Sequence, residues 1–246
     1  MQVGVEIGGT FTDLVWRNEA GVVITGKVPS TPSSIHSAVL DAIRSARVPL
    51  ATVRQFSHGS TVATNALLTR RGSTVGLVTT RGFRDVVEIG THDRVGNIYT
   101  AFYHKPRAPV ARRNVAEVDE RIDAAGNVTR PLDPAAAWAQ LKPLVDSGVT
   151  SIAICLLNGY RNPAHERDLI ALLRKKAPGV LVFASHEVSP EFREYERTVT
   201  TTVNAFVAPV VKGYVEQLQA GLAADGYVGA LRLMQSNGGI MPAIAA

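Results

Sequence analysis

Two glycines standing between two runs of alternating residues constrain this chain more than any other feature. Val3, Val5 and Ile7 alternate with Gly4 and Glu6, Gly8-Gly9 follows, and Phe11 to Trp16 resumes an extended run. Period-two alternation on both sides of a glycine pair predicts strand, tight turn, strand. Arg17-Asn18-Glu19-Ala20-Gly21 supplies another turn, and Val22 to Val28 a third strand, before Pro29-Ser30-Thr31-Pro32 breaks the pattern. The chain is therefore expected to open as an antiparallel meander.

Beyond the meander the period changes. Ile35, Ala38, Val39, Ala42 and Ile43 share one face of a helix over 34–46. A strand over 53–56, a helical stretch ending at Thr69 and a buried strand over 74–79 give the order β-β-β-α-β-α-β. A second α/β unit alternates a helix (134–147), a strand (151–157), a helix (163–177) and a strand (180–185), so its strands are expected to be parallel. Residues 190–224 read as helical with an interruption at Pro209, and a strand over 231–235 runs into Ser236-Asn237-Gly238-Gly239. Between the two units, residues 90–113 lose periodicity and gather aromatic residues and prolines, as a long loop folding over a site would. These shifts suggest divisions at 1–89, 90–189 and 190–246.

Composition removes several function classes. With 26 Lys and Arg against 21 Asp and Glu the basic excess is mild, and the cationic clusters (Arg70-Arg71, Arg112-Arg113, Arg174-Lys175-Lys176) are short and scattered. No continuous stripe tracks a phosphate backbone, so nucleic acid is not an expected partner. The single Cys155 lies in an apolar run, where an inert buried thiol is expected and an intrachain disulfide is impossible. No apolar run has the length of a membrane span and Met1 leads directly into a strand, so no membrane partner is expected and the cytoplasm is the expected compartment.

Glu6-Ile7-Gly8-Gly9-Thr10-Phe11-Thr12-Asp13 carries the most chemistry. Where strands turn sharply, Gly8 and Gly9 let backbone approach an anion without a Cβ in the way. The N–H groups of Gly9 and Thr10, with the hydroxyls of Thr10 and Thr12 on either side of Phe11, suit the oxygens of a polyphosphate. Glu6 and Asp13 supply carboxylates able to hold Mg²⁺ through water, the usual mode for that small cation. The plainer alternative is a hairpin turn between two strands rich in threonine. No G-x-x-x-x-G-K-[ST] loop is present, and no helix follows the glycines as a dinucleotide fingerprint requires.

Further candidates stand at loop-like positions. His58 is expected at the carboxyl end of a strand, where α/β proteins place ligands, with Ser60, Thr61 and, one helical turn on, Asn65; a hydrogen-bonded structural histidine is the alternative. Arg81, Arg84 and Asp85 follow a buried strand and either orient the substrate or the neighbouring long loop, or form an exposed turn. His92 and Asp93 open the long loop and are candidate specificity residues. In the charged run 191–197, Glu194 and Arg197 are candidate cleft residues, against ordinary surface pairing along a helix. Ser236 and Asn237 repeat the logic of the first loop, a strand ending in polar, glycine-rich residues.

Taken together, five separated segments resemble one family. Gly8-Gly9-Thr10-Phe11-Thr12-Asp13 is similar to the first phosphate motif of actin-like ATPases. With His58-Gly59-Ser60-Thr61-Val62-Ala63-Thr64-Asn65, Thr80-Arg81-Gly82-Phe83-Arg84-Asp85, Pro190-Glu191-Phe192-Arg193-Glu194-Tyr195-Glu196-Arg197-Thr198 and Met234-Gln235-Ser236-Asn237-Gly238-Gly239, it resembles the hydantoinase A/5-oxoprolinase family. Two departures stand out: Glu6 replaces the family's usual Asp, and Ser60 its usual Thr. The resemblance implies an α/β fold, the N-terminal domain of an actin-like (ribonuclease H-like) ATPase followed by a second α/β unit. It also implies ATP and Mg²⁺ as cofactors and ATP-dependent ring opening of a cyclic amide such as a hydantoin or 5-oxoproline. A hydantoinase B-type partner subunit or domain is implied too, with an ATP-using subunit of a ketone carboxylase, or a non-catalytic assembly subunit, as alternatives. Family members continue past the position of Ala246, which places the second phosphate motif and the adenosine segment outside this sequence.

Overall fold

The computed structural model describes residues 1–30, 35–91, 99, 102 and 107–243. It divides into two compact units, one made of residues 1–71 and 210–246 and one of residues 72–209.

The first unit is built on a mixed sheet. Strands β1 (Gln2–Ile7), β2 (Phe11–Arg17) and β3 (Val23–Pro29) form the expected meander; β4 (Gln55–Ser60) lies parallel to β1, and β11 (Leu231–Met234) parallel to β4. β12 (Ile240–Pro242) returns antiparallel to β11, giving the order β12-β11-β4-β1-β2-β3. Alternation decides the faces. Val3, Val5, Ile7 and Leu14 turn inward, where helix α1 (Ile35–Ser45) and the later part of helix α7 (Glu194–Ala224) cover them through Val39, Ile43, Tyr214 and Leu218. The two helices pack closely: a Cβ on Gly221 would stand 2.4 Å from Leu40 Cδ1, and Arg44 grips Asp225 with bonds of 2.9 and 3.0 Å. Glu6, Phe11, Asp13 and Val15 fall on the other face and are exposed. Helix α2 (Val62–Leu68) follows β4.

The second unit holds a parallel sheet in the order β10-β9-β5-β6, formed by β5 (Val75–Thr80), β6 (Val115–Val118), β9 (Ser151–Cys155) and β10 (Leu181–Ala184). Every residue of β5 and β9 is buried, as strands flanked on both sides and covered on both faces must be. Val78, Ile152 and Ile154 face helices α4 (Pro134–Asp146) and α5 (Ala164–Lys176); Leu77, Ala153 and Cys155 face Val199, Ala205 and Phe206 of α7. Asp133 caps α4 by accepting the Ala136 N–H at 2.8 Å, with Pro134 at the first helical position. A short hairpin of β7 (Arg121–Ile122) and β8 (Val128–Arg130) and the one-turn helices α3 (Val86–Ile89) and α6 (Ser185–Val188) complete the unit. The compact units do not follow divisions at 89 and 189, because β5 is paired on both sides within the second sheet and α7 contributes residues to each unit.

One expectation is corrected: Pro209 does not interrupt α7, which runs unbroken over 31 residues. A proline lacks the N–H that would bond the carbonyl four residues back, here that of Ala205. That carbonyl instead accepts the hydroxyls of Ser73 at 2.7 Å and Ser151 at 2.8 Å. The group freed by the proline is thus satisfied from outside the helix, which removes the main penalty for continuing it.

Candidate functional site

The parallel pairing of β1, β4 and β11 fixes where ligand-contacting loops emerge. Ile7 pairs with Ser60, and Leu233 with His58, so the segments after all three strands leave the same, carboxyl edge of the sheet. That edge is where open α/β sheets place ligands. It carries the Gly8-Gly9 turn, Thr61 and the 235–239 turn.

The Gly8-Gly9 turn is held by one hydroxyl that sequence reasoning passed over as part of a breaker. Ser30 donates its N–H to Thr10 O at 2.8 Å and its hydroxyl to Gly8 O at 3.0 Å, and shares a 3.0 Å bond with the Thr12 hydroxyl. The Gly8 N–H closes the turn on Phe11 O at 2.9 Å. Among the described residues the N–H groups of Gly9 and Thr10 have no hydrogen-bond partner, and a Cβ built on Gly9 would meet nothing within 4 Å. The loop thus presents two unengaged donors with open space beside them.

A cavity of about 350 Å³ adjoins it, lined by Gly8, Gly9, Ser30, Thr61, Asn65 and Arg71 among others, with Ile7, Ile35 and Val62 as its apolar wall. The structure therefore brings together four candidates from separate motifs, Gly8, Gly9, Thr61 and Asn65. It adds Arg71, whose cationic head suits an anionic ligand. Asn65 Nδ2 donates to Thr61 Oγ1 at 3.2 Å, which holds both side chains at the cavity wall.

Other candidates fall elsewhere. Thr12 is fully buried: it pairs with Ile7 and shares its inward face, so its hydroxyl meets Ser30 rather than the open side of the loop. Thr10 and Phe11 are exposed, the Phe11 ring lying 4.8 Å from Lys27 Nζ. Glu6 and Asp13 are direct cross-strand partners on the exposed sheet face. Asp13 is engaged by Lys27 at 2.9 Å, whereas Glu6 makes no ion pair among the described residues and lies over Gly59, where a Cβ would stand 3.4 Å from its Cγ. No three His, Cys, Asp or Glu side chains converge into a metal cage among the described residues. The chemistry of a single carboxylate such as Glu6, at the end of the strand before the Gly8-Gly9 turn, fits Mg²⁺, which keeps much of its water and needs one or two protein carboxylates.

His58 does not line the cavity. It sits within β4, fully buried, with Nδ1 bonded to Val5 O at 3.0 Å and Nε2 to the Tyr214 hydroxyl at 2.5 Å. Burial lowers its pKa to about 4 against the backbone bond to Val5, so the ring is neutral at pH 7. Ser60 accepts the Val62 N–H at 3.2 Å and orders the start of α2. Ser236 and Asn237 form the exposed tip of the β11–β12 hairpin, where Asn237 Oδ1 accepts the Gly239 N–H at 2.8 Å and Gly238 takes a φ of +84°.

Glu194 and Arg197 belong to the second unit. Arg197 is 1% exposed and donates to Leu156 O at 2.6 Å, to Glu191 O at 3.1 Å and to Glu194 Oε2, with its guanidinium 5.2 Å from the Tyr160 ring. It ties the end of β9 to the start of α7. Cys155 beside it is buried, and burial raises its thiol pKa, so the inert reading fits. His92 and Asp93 lie outside the described residues, as does much of the 90–113 loop. No helix among the described residues is long and apolar enough to cross a membrane.

Comparison with known proteins matches this geometry to a family. The pattern of the hydantoinase/oxoprolinase N-terminal region matches residues 2–177, and that of hydantoinase/oxoprolinase proper residues 197–246. The alpha subunit of caprolactamase from Pseudomonas jessenii is 35% identical over 252 residues, covering 99% of this chain and 36% of that protein. The gamma subunit of acetophenone carboxylase from Aromatoleum aromaticum is 32% identical, covering 96% of this chain and 35% of its own length. The crystal structure of the ATP-dependent caprolactamase superposes with a TM-score of 0.89 at 36% identity, covering 99% of this chain and 37% of that one. Nucleotide-free acetone carboxylase superposes with a TM-score of 0.86 at 24% identity, covering 98% and 37%, a likeness of fold. The chain spans about a third of the length of these relatives. Its fold is that of the N-terminal part of the actin-like ATPases. With most of its length matched by one pattern and the remainder largely by a second, the chain belongs to the hydantoinase/oxoprolinase family.

Proposed function

We propose that this chain supplies the phosphate-binding wall of an enzyme that opens a cyclic amide at the expense of ATP. One observation carries the reading: the turn clamped by Ser30 leaves the Gly9 and Thr10 N–H groups unengaged beside an open cavity. Amide resonance makes a lactam carbonyl a poor electrophile. Transfer of the γ-phosphoryl group to its oxygen removes that resonance and makes the carbon electrophilic. Water adds to the carbon, the C–N bond breaks with a proton going to nitrogen, and a second water hydrolyses the resulting acyl phosphate. The sum is lactam, ATP and two waters to amino acid, ADP and phosphate.

This chain's residues would serve the first step by position and charge. The N–H groups of Gly9 and Thr10 and the Thr10 hydroxyl would donate to phosphate oxygens, with Arg71 adding charge from the cavity wall. Glu6 would orient the water shell of Mg²⁺, which neutralises phosphate charge when bound. Thr12 and Ser30 would hold the loop, and His58 would brace β4 against α7 rather than touch a reactant. Thr61 and Asn65, with Ser236 and Asn237 at the same sheet edge, are the candidate substrate contacts. The remainder of the cleft would come from sequence of the kind that continues in the relatives, and from a hydantoinase B-type partner.

Similarity to the caprolactamase subunit supports the lactam, and similarity to the acetophenone carboxylase subunit supports a second reading, phosphorylation of an enol and bicarbonate. Calorimetric titration of the complete enzyme with ATP and Mg²⁺ tests the shared step: saturable binding weakened by Glu6→Gln is expected, and heats no larger than dilution would overturn it. Product analysis of the complete enzyme with a hydantoin, 5-oxoproline and acetone, each with ATP, separates the two readings.

A further inference from the structure

The segment Thr80-Arg81-Gly82-Phe83-Arg84-Asp85 takes no part in the phosphate loop, yet the second unit builds a cavity around it. Gly82, at a φ of +93°, reverses the chain immediately after β5; the Phe83 N–H closes the turn on Thr80 O at 3.0 Å. The reversal sets Arg81 and Arg84 on the wall of a cavity of about 380 Å³. Arg113 joins them across an apolar floor of Val115 and Leu144.

The charges in this cavity do not cancel. Among the described residues Glu117 is the only acidic one in its lining, and its Oε1 accepts the Gly82 N–H at 2.7 Å. Arg81 reaches Asp119 Oδ2 at 3.3 Å, and Gln140, oriented to satisfy both ends of its amide, accepts from Arg81 at 3.1 Å. Asp119 is also bound by Arg130 at 2.5 Å, and Asp85 is held by Arg112 with bonds of 2.6 and 3.0 Å. Neither Arg84 nor Arg113 has a carboxylate partner among the described residues. Arg84 donates only to Arg112 O, at 3.3 Å, and its Nε is buried without a partner.

We propose that this cavity binds a phosphate-type dianion, as inorganic phosphate or as the phosphoryl group of a small molecule. Two guanidinium groups without an ion-pair contact among the described residues suit a doubly negative ligand, and a tetrahedral group can accept from several planar forks at once, which a carboxylate cannot do as fully. The inference is independent of the role assigned to the Gly8-Gly9 turn.

The test is an amide NMR titration of the 246-residue chain with inorganic phosphate at constant ionic strength, with acetate as the monoanion control. Saturable shifts at Gly82, Arg84 and Glu117 are expected, with acetate much weaker. Arg113→Gln, at an exposed position that leaves the core intact, should weaken phosphate roughly tenfold or more, the loss of one charge-assisted contact. Arg17→Gln removes the same charge from the first unit and should leave the affinity unchanged. Shifts confined to Gly8–Thr10, equal loss in both variants, or acetate binding as tight as phosphate would each overturn the proposal.

Discussion

The Tyr214 hydroxyl lies 2.5 Å from Nε2 of His58, a bond that joins helix α7 to the central strand β4 inside the first core. Val5 O can only accept, so Nδ1 carries the proton and Nε2 accepts from the tyrosine. Tyr214→Phe removes the donor and leaves a buried ring nitrogen unsatisfied. The expected cost is about 1–3 kcal/mol in denaturant unfolding; an unchanged midpoint would contradict the bond.

The same histidine predicts a pH dependence. Its folded pKa of about 4 lies below the ordinary 6.5, so between those values the unfolded chain takes up a proton that the folded one refuses. The stability contributed by the neutral ring is complete above about pH 6.5 and falls as the pH drops toward 4, by on the order of 3 kcal/mol. Unfolding curves at pH 7, 5.5 and 4.5, compared with those of His58→Gln, should show a smaller acid loss in the variant.

Gly9 separates folding from ligand approach. An added Cβ would meet no atom within 4 Å, and the residue's φ is not in the left-handed region, so Gly9→Ala should fold with its melting temperature essentially unchanged. The methyl group would nevertheless crowd an anion drawn to the N–H groups of the turn. Weakened binding of ATP with Mg²⁺ by calorimetry is expected, and undiminished affinity would mean that phosphate does not approach there.

Ser30 is expected to matter through the turn it clamps. Ser30→Ala removes the bonds to Gly8 O and the Thr12 hydroxyl. A loss of about 1 kcal/mol follows, with faster hydrogen exchange confined to the amides of the turn and Thr12.

At Pro209 the two serine hydroxyls back one another up. Ser73→Ala or Ser151→Ala alone leaves the Ala205 carbonyl one donor, whereas the double variant strands it. The double change should therefore cost more than the sum of the singles, by about 1 kcal/mol in a double-mutant cycle. Strict additivity would show that the carbonyl does not depend on them.

Much of this was legible before any coordinates. Alternation at Val3, Val5 and Ile7 and the helical spacing from Ile35 to Ile43 report one-sided burial directly, so the meander and the order of the following elements emerge from period alone. The unbroken α7 was not legible, because the hydroxyls that serve Ala205 stand on residues 132 and 54 positions away along the chain. His58 reads from its motif either as a ligand or as a hydrogen-bonded structural residue, and the bond from Tyr214, 156 positions further on, could not be read from the motif. Short β6, β7 and β8 carry too few residues to show a period. Arg71 and Ser30 became visible as cavity residues only once the loop around Gly8 and Gly9 had closed.

The first unit is interrupted by the whole of the second, and this governs the order in which the protein can be finished during synthesis. Residues 72–209 are contiguous, so the four described strands of their sheet are all available as soon as they have left the ribosome. By contrast β4 must keep one edge unpaired, with its N–H and C=O groups open, until β11 emerges some 170 residues later. A pause or a nick within the second unit therefore exposes the first to strand pairing with other chains, even when the lesion lies far from that edge in sequence.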